Sequence, residues 1–471
     1  MKQLVSIITS LEEFRSLTAA IDSAACPAAF TGLSPVHRAH VAAGVRQEQE
    51  RPIVVICADE GEAGRMAKDL GALTGEAVRT LPAREFTFHN AAVVSRQWEH
   101  ARLSVLRALA AGECPILVVT VEALMQRTMP RTLLTQASLC LRLGETYDLN
   151  ELAETLAAAG YTRCDQVEGV GQFALRGGIL DFFSPAERAP VRVEFFGDEV
   201  DSMGLFDVST QRRTDNIREA EILPAAEVLP QFAPGGFPGL LEGMDGLISR
   251  VKKRRGDNAE LLKTLEEDRE RLEQNVSFPA MDRYLALIYP RLATAADYLP
   301  EDAAIFFSES PRVAERAKNY TWQLTEDAKV LMESGTLAGE LSVFARSFEE
   351  LCGVLEAWPV AYLDSFVGSS YPRRPRTLIN ILAKQLPSYG ASLETAVSDL
   401  SHYMNEGFAA VVLVSSEQRA LNLQALLREQ KLRAAVDFTL HDLPAPGKAV
   451  IAVGGLSSGA EYPGGKFAVL T

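Results

Sequence analysis

No run of apolar residues in this sequence approaches the roughly 18 that a membrane-spanning helix needs, and Met1–Ser10, with Lys2 and a short apolar run, lacks a signal-peptide core. The expected setting is cytoplasmic, with no membrane partner. Cysteine is sparse and scattered: Cys26, Cys57, Cys114, Cys140, Cys164 and Cys352 form no CxxC pair and have no histidine at metal-ligand spacing. A disulfide framework and a zinc site are both excluded in favour of reduced, mostly buried thiols. Positive charge is in deficit, with 47 Lys and Arg against 62 Asp and Glu, a net of −15. That balance argues against a chain that grips duplex DNA over its whole surface, while leaving room for a local basic patch. The six histidines (His37, His40, His89, His100, His402, His441) have no Ser or Cys partner in a hydrolase motif, so no catalytic triad is visible and most of them read as surface or capping residues.

What is present is ordinary globular composition, 47% hydrophobic and 23% charged, over 471 residues, which is enough chain for roughly three domains. Between residues 27 and 120, short apolar runs such as PIVVICA (Pro52–Ala58) and PILVVTV (Pro115–Val121) alternate with helical periodicity over Gly61–Leu73 and Ser95–Ala110. A further short strand is expected at Glu76–Leu81. This is the pattern of a parallel sheet covered by helices. After Leu149 the period changes. A helix over Asn150–Ala159 leads to period-2 segments at Gln172–Arg176, Gly178–Phe183 and Val191–Phe196, broken by Gly177-Gly178 and by Pro185 and Pro190. These predict an antiparallel sheet in a small α+β unit.

Residues 246–278 are strongly charged, with Lys252, Lys253, Arg254 and Arg255 and with Leu261, Leu262, Leu265 and Leu272 at helical spacing, and read as a long surface helix. The run AAIFF (Ala303–Phe307) then looks like one more strand of the first sheet, which makes the antiparallel unit an insertion. From about Ala345 a fresh α/β series begins, with strands at Pro359–Leu363, Ala409–Val414, Ala434–Phe438 and Ala449–Val453 and helices at Ser392–Met404 and Glu417–Glu429. The last residues, KFAVLT, read as a strand cut short, so an N-terminal piece of something longer is expected.

Two stretches suggest phosphate chemistry without completing it. Thr31-Gly32-Leu33-Ser34-Pro35-Val36 lies between an apolar segment and a helix, where a phosphate-binding loop belongs. Such a loop needs backbone N–H groups around the phosphates, a Lys on them and a Ser or Thr on Mg²⁺. Here Gly32 fits, but Pro35 stands at the Lys position and Val36 at the metal-ligand position. Proline also removes an N–H donor. At the end of AAIFF, Ser308 stands where nucleotide hydrolases place an Asp, followed by Glu309, which alone reads as a solvated acid. Losing both groups removes the electrostatic stabilisation of phosphoryl transfer. The fold class is therefore α/β: a degenerate P-loop NTPase-like parallel-sheet domain (residues 1–125 and 216–344) with an inserted antiparallel α+β domain (126–215), followed by a smaller separate α/β domain of unknown role (345–471). A third set, Arg163, Gln166, Gly171, Phe173, Arg176, Asp181, Phe182 and Phe183, combines Arg with aromatics on the inserted sheet. That composition suits an interface. Taken alone it is better described as surface arginines over core phenylalanines, because exposed Arg is common.

The segments TGLSPVHRAH, LPAREFTFHN, VVTVEALMQRTMP, AGYTRCDQVEGVGQFALRGGILDFFSP, VRVEFFGDEVDSMGLFDVSTQR and LPEDAAIFFSES together resemble the N-terminal region of the bacterial transcription-repair coupling factors (the Mfd family), itself similar to the excision-repair subunit UvrB. The stretch Gly160–Arg212 carries the most specific match, to the UvrA-binding domain that both families share. The resemblance implies recruitment of UvrA through Arg163, Arg176 and Phe183, with Ala174 where UvrB has another arginine. It implies no catalysis and no cofactor for this chain. It assigns an ATP- and Mg-dependent DNA translocase, contacts with RNA polymerase and duplex DNA, and an autoinhibitory contact over the docking surface to regions beyond Thr471. The alternative is an active UvrB-like nucleotide-dependent subunit. UvrB carries a DNA-clamping β-hairpin after the segment matching Glu85–Asn90, and here the chain passes almost directly into the helix expected near Ser95.

Overall fold

The computed structural model describes residues 1–23, 25–90, 95–254, 258–274, 278–389 and 393–471. Strands β1 (Ala28–Thr31), β2 (Ile53–Cys57), β3 (Arg79–Leu81) and β4 (Ile116–Thr120) open the chain. They are followed by β5 (Leu139–Arg142), β6 (Thr162–Arg163), β7 (Gln172–Arg176), β8 (Ile179–Phe182), β9 (Val191–Phe196), β10 (Glu199–Phe206), β11 (Arg213–Asn216) and β12 (Glu219–Ile222). Then come β13 (Ala304–Ser308), β14 (Val360–Asp364), β15 (Thr377–Asn380), β16 (Lys384–Leu386), β17 (Ala409–Val414), β18 (Ala434–Val436), β19 (Ala449–Val453), β20 (Gly459–Tyr462) and β21 (Phe467–Leu470).

The first domain is a seven-stranded parallel sheet in the order β15-β1-β14-β13-β2-β4-β3. Its central strands are unbroken apolar runs because helices bury both faces, leaving no solvent side to select alternating polar residues. The strand expected at Pro359–Leu363 is corrected in its partner: β14 does not open the last domain but lies between β1 and β13. A buried apolar run looks alike in any parallel sheet, so periodicity does not reveal which sheet it joins.

The charged stretch is also corrected. Residues 246–278 contribute to two helices, Gly236–Lys253 and Ala259–Glu273, which pack on each other and bury Leu261, Leu265 and Leu272 in the core of the first domain. Surface pairs such as Lys252 with Glu266 (2.8 Å) account for much of the charge. Arg255 lies outside the described residues.

The inserted unit leaves the core through a two-stranded neck, β5 paired antiparallel with β12. It contains a six-stranded sheet, β11-β10-β9-β8-β7-β6, antiparallel except where β6 runs parallel to β7. The helix Leu149–Ala158, capped by the Asp148 carboxylate, covers one face and packs Leu152 and Leu156 against Phe173, Leu180, Phe182 and Val193. Just beyond the neck, Glu227 is fully buried and accepts from Arg84 (2.9 Å), Arg102 (2.6 Å) and Thr128 Oγ1 (2.8 Å). Burial opposes its charge, but the two guanidiniums hold Glu227 below the usual carboxylate range. The exit of the insertion is thereby tied to three separate segments of the first domain.

The last domain is a mixed sheet, β16-β20-β21-β17-β19-β18. It packs on the helix Pro35–Gln49 of the first domain. His40 bridges Tyr462 Oη and Leu4 O, each at 2.7 Å, and Asp69 accepts from Ser457 N (2.7 Å) and Oγ (2.5 Å). His37 and His40, expected at the surface, are therefore buried, because their helix is covered on one side by the sheet and on the other by this domain. Burial lowers their pKa values to about 3 and about 4, so both rings are neutral. The helix expected near Ser95 begins at Gln97, and Ala91–Val94, where UvrB's hairpin would insert, lie outside the described residues.

Candidate functional site

Two arginine–carboxylate clusters occupy the places that the sequence singles out. The first lies at the carboxyl ends of β1, β13 and β14, where a parallel α/β sheet ordinarily binds its ligand. Gly32 (φ +88°) starts the turn into the helix Pro35–Gln49, and its glycine is required sterically: an ideal Cβ there would lie 2.0 Å from Ile381 O. The backbone donors a phosphate would need are already engaged, Gly32 N–H on Ser365 O (3.2 Å) and Leu33 N–H on Asp364 O (3.1 Å). Ser34 Oγ is paired with His37 Nδ1 (2.6 Å), Pro35 occupies the first helical position, and Val36 is buried in the core shared with the last domain.

The interior of this strand-end site is filled by the protein itself. The Arg38 side chain, 3% exposed, ion-pairs with Glu309 and with Glu62 (3.4 Å) and donates to Ser365 Oγ (2.8 Å) and Ser308 Oγ (3.3 Å). Ser308 Oγ in turn donates to Glu62 Oε1 (2.6 Å). Glu309 is thus no solvated acid, as read from sequence. It adopts a left-handed backbone conformation (φ 60°) that turns its carboxylate inward onto Arg38. Asp364, at the end of the neighbouring strand, has one oxygen on Ser310 N (2.6 Å) and the other on Ser310 Oγ (2.9 Å). Among the described residues no group of three or more His, Cys, Asp and Glu is arranged to hold a metal ion.

The second cluster lies on the inserted sheet, on the face opposite its helix. Opposed residues on neighbouring strands share a face, so Ala174, Asp181, Arg192 and Gly204 form one row, and Arg176, Ile179, Glu194 and Ser202 the next. The Asp181 carboxylate is buried and holds two guanidiniums, Arg176 at 2.6 Å and Arg192 at 2.7 and 2.8 Å. Arg192 also lies over the Phe206 ring, 4.8 Å from its centroid. Arg213 crosses the same face to Ser202 Oγ (3.0 Å) and Glu194 (3.7 Å), over Gly204, where a Cβ would fall 2.7 Å from Arg213 Nε.

Of the residues expected on this surface, Arg163 and Arg176 both line a shallow cleft of about 350 Å³ with Cys164, Asp165 and Leu175, at the β6 edge of the sheet. Arg163, opposite Phe173, is nevertheless in phase with the helix-covered face and Arg176 with the open one. The Arg163 side chain is exposed and has no hydrogen-bond or ion-pair partner among the described residues. Arg176 is half exposed, and of a guanidinium's five donors its described contacts engage one. Phe183 stands apart, half-buried against the small apolar cluster of Val167, Ala174 and Phe206. Ala174, at the position where the resemblance leads one to look for an arginine, belongs to the same cluster and is buried. Sequence reasoning missed Arg38, Glu62 and Ser365 at the first cluster and Arg192 and Arg213 at the second. Strand alternation carried a signal for Arg192, which is in phase with Glu194, but nothing local marks Arg38.

Residues 139–228 match the family described as the UvrB interaction domain, a span that runs from β5 of the neck to the segment anchored by Glu227. Over its whole length the chain is 26% identical to the transcription-repair-coupling factor of Bacillus subtilis (strain 168), and over 94% of its length 27% identical to that of Staphylococcus aureus (strain MRSA252). It spans 40% and 37% of those two proteins. The sheet that carries Arg163, Arg176 and Asp181 thus falls within a match to the UvrB interaction domain, set in a chain similar from end to end to part of the transcription-repair-coupling factors.

Proposed function

We propose that this chain is the non-catalytic docking part of a transcription-repair coupling protein and recruits the excision-repair subunit UvrA through the open face and adjoining β6 edge of the inserted sheet. The observation that carries the reading is the contrast in what is left to bind. Gly32 and Leu33 have their N–H groups on backbone carbonyls and Arg38 fills the strand-end site, while Arg163 and Arg176 keep donors directed to solvent. Arginines held by a buried carboxylate beside aromatic residues are suited to an acidic partner surface, because their geometry is set before binding. RNA polymerase, duplex DNA and ATP-driven translocation belong, on this reading, to regions that the longer relatives have and this chain does not cover.

Calorimetric titration of UvrA tests the docking role. Wild-type chain binds, and Arg176→Ala weakens binding by about 2–5 kcal/mol with the fold intact; equal affinity for the two overturns the assignment of Arg176. The UvrB-like alternative makes the opposite claim about the first cluster: tight, Mg²⁺-dependent ATP binding by this chain would favour it and would require the Gly32 and Leu33 N–H groups to leave their present acceptors.

A further inference from the structure

The second cluster continues beyond the arginines to a feature that no motif in the sequence marks. The rows of the open face run on from Arg176, Ile179, Glu194 and Ser202 to one final row, Phe196 opposite Glu199, at the tip of the β9–β10 hairpin. Phe196 is two residues past Glu194 on β9 and so lies on the same face. The β7–β8 turn ends at this edge too, since Phe195 N–H donates to Gly178 O at 2.8 Å. Phe196 is 83% exposed, whereas the preceding Phe195 packs into the core under the helix Leu149–Ala158.

An exposed aromatic ring at a hairpin tip is uninformative when the tip is loose. This tip is braced. The loop that follows β5 runs beside it, with Gly144 N–H on Val200 O (2.9 Å), Tyr147 N–H on Asp198 O (2.8 Å) and Val200 N–H on Glu145 O (2.9 Å). Gly197 (φ +63°) closes the turn in a conformation that a side chain would strain. The ring is therefore presented to solvent on a fixed backbone, one strand row beyond Arg176, and a side chain with two rotatable bonds loses little entropy on binding.

We propose that Phe196 is an apolar anchor of the docking face, inserting into a hydrophobic socket of the partner whose acidic groups lie only on the side that meets Arg176 and Arg213, away from Glu199, which stands directly opposite Phe196. The proposal rests on the docking function above and narrows it: the partner's complementary surface is a pocket lined by apolar side chains, with carboxylates on the side toward Arg176 and Arg213.

The test titrates UvrA with wild-type chain, Phe196→Ala, Phe196→Leu and Arg176→Ala, with unfolding midpoints measured in parallel. Phe196→Ala is expected to weaken binding at least about tenfold, Phe196→Leu less, and neither to move the unfolding midpoint, since the ring has little to lose from the fold. If Arg176→Ala weakens binding while Phe196→Ala binds as wild type does, the anchor is overturned and the docking function stands. If the wild-type chain does not bind UvrA, both are overturned.

Discussion

Arg38 and Arg176 both rest on carboxylates, yet they serve opposite ends. Arg38 is sealed between Glu62, Glu309, Ser308 and Ser365 and is spent on holding three strand ends and a helix together. Arg176 shares its carboxylate with Arg192 but keeps half its surface in water. A buried ion pair has already lost its hydration and offers a partner nothing, while a half-exposed one retains donors and an orientation. The sheet-end location that binds nucleotides in related architectures is here filled by Arg38 and its carboxylates, and the proposed docking function places recognition on the inserted sheet.

The contrast between the two arginines meets its most severe test in Arg38→Ala. The variant leaves Glu309 without its cation and Glu62 with only the more exposed Arg312 at 3.9 Å, and the expected loss is about 3–5 kcal/mol of stability in denaturant unfolding. A loss below about 1 kcal/mol would mean that the cluster is not scaffold. Adding ATP with Mg²⁺ should leave the variant's unfolding midpoint unchanged, and a rise would show that Arg38 had been masking a nucleotide site.

Burial as the cause of the difference can be tested at Glu99, whose Oε1 accepts from Glu227 N at 2.7 Å inside the first domain. Burial raises its pKa from 4.5 to about 7. Both states are protonated below about pH 4.5. Between there and pH 7 the folded protein holds a proton that the unfolded chain has released, so this group's contribution becomes less favourable as pH rises. Glu99→Gln keeps an acceptor for Glu227 N without the charge. It should exceed wild type by on the order of 2–3 kcal/mol at pH 8, with the gap closing toward pH 5. A gap independent of pH would remove the titration of Glu99 from the account.

A smaller effect is expected from Asp181→Ala, about 2 kcal/mol of stability, because its two guanidiniums can turn to water. UvrA affinity should fall in the same variant, since Arg176 and Arg192 lose what orients them. Unchanged affinity would mean that their placement does not depend on Asp181. The smallest effect is on the fold in Arg176→Ala, within about 0.5 kcal/mol of wild type. A large loss there would erase the distinction between the two arginines.

Much of the architecture was legible locally. The runs around Ile53–Cys57, Ile116–Thr120 and Ala304–Ser308 announced a parallel sheet because strands buried on both faces admit few polar residues. The helix Glu417–Glu429 was legible as one of the helices between the strands of the last domain, and the structure caps it with Ser416. The change from helical spacing to period 2 marked the inserted unit, and the defects at Pro35, Val36 and Ser308 could be read from residue type alone. What the sequence could not express is which distant segments meet. That β14 and β15 return to the first sheet, that Leu261 and Leu265 face a core and not water, and that Arg38 reaches back from its helix to Glu309 are outcomes of packing between residues hundreds of positions apart. Local propensity sets the elements. Their partners, and with them the choice of which arginine is enclosed and which remains open to a partner, are decided only when the sheets close and water is excluded from one cluster and left on the other.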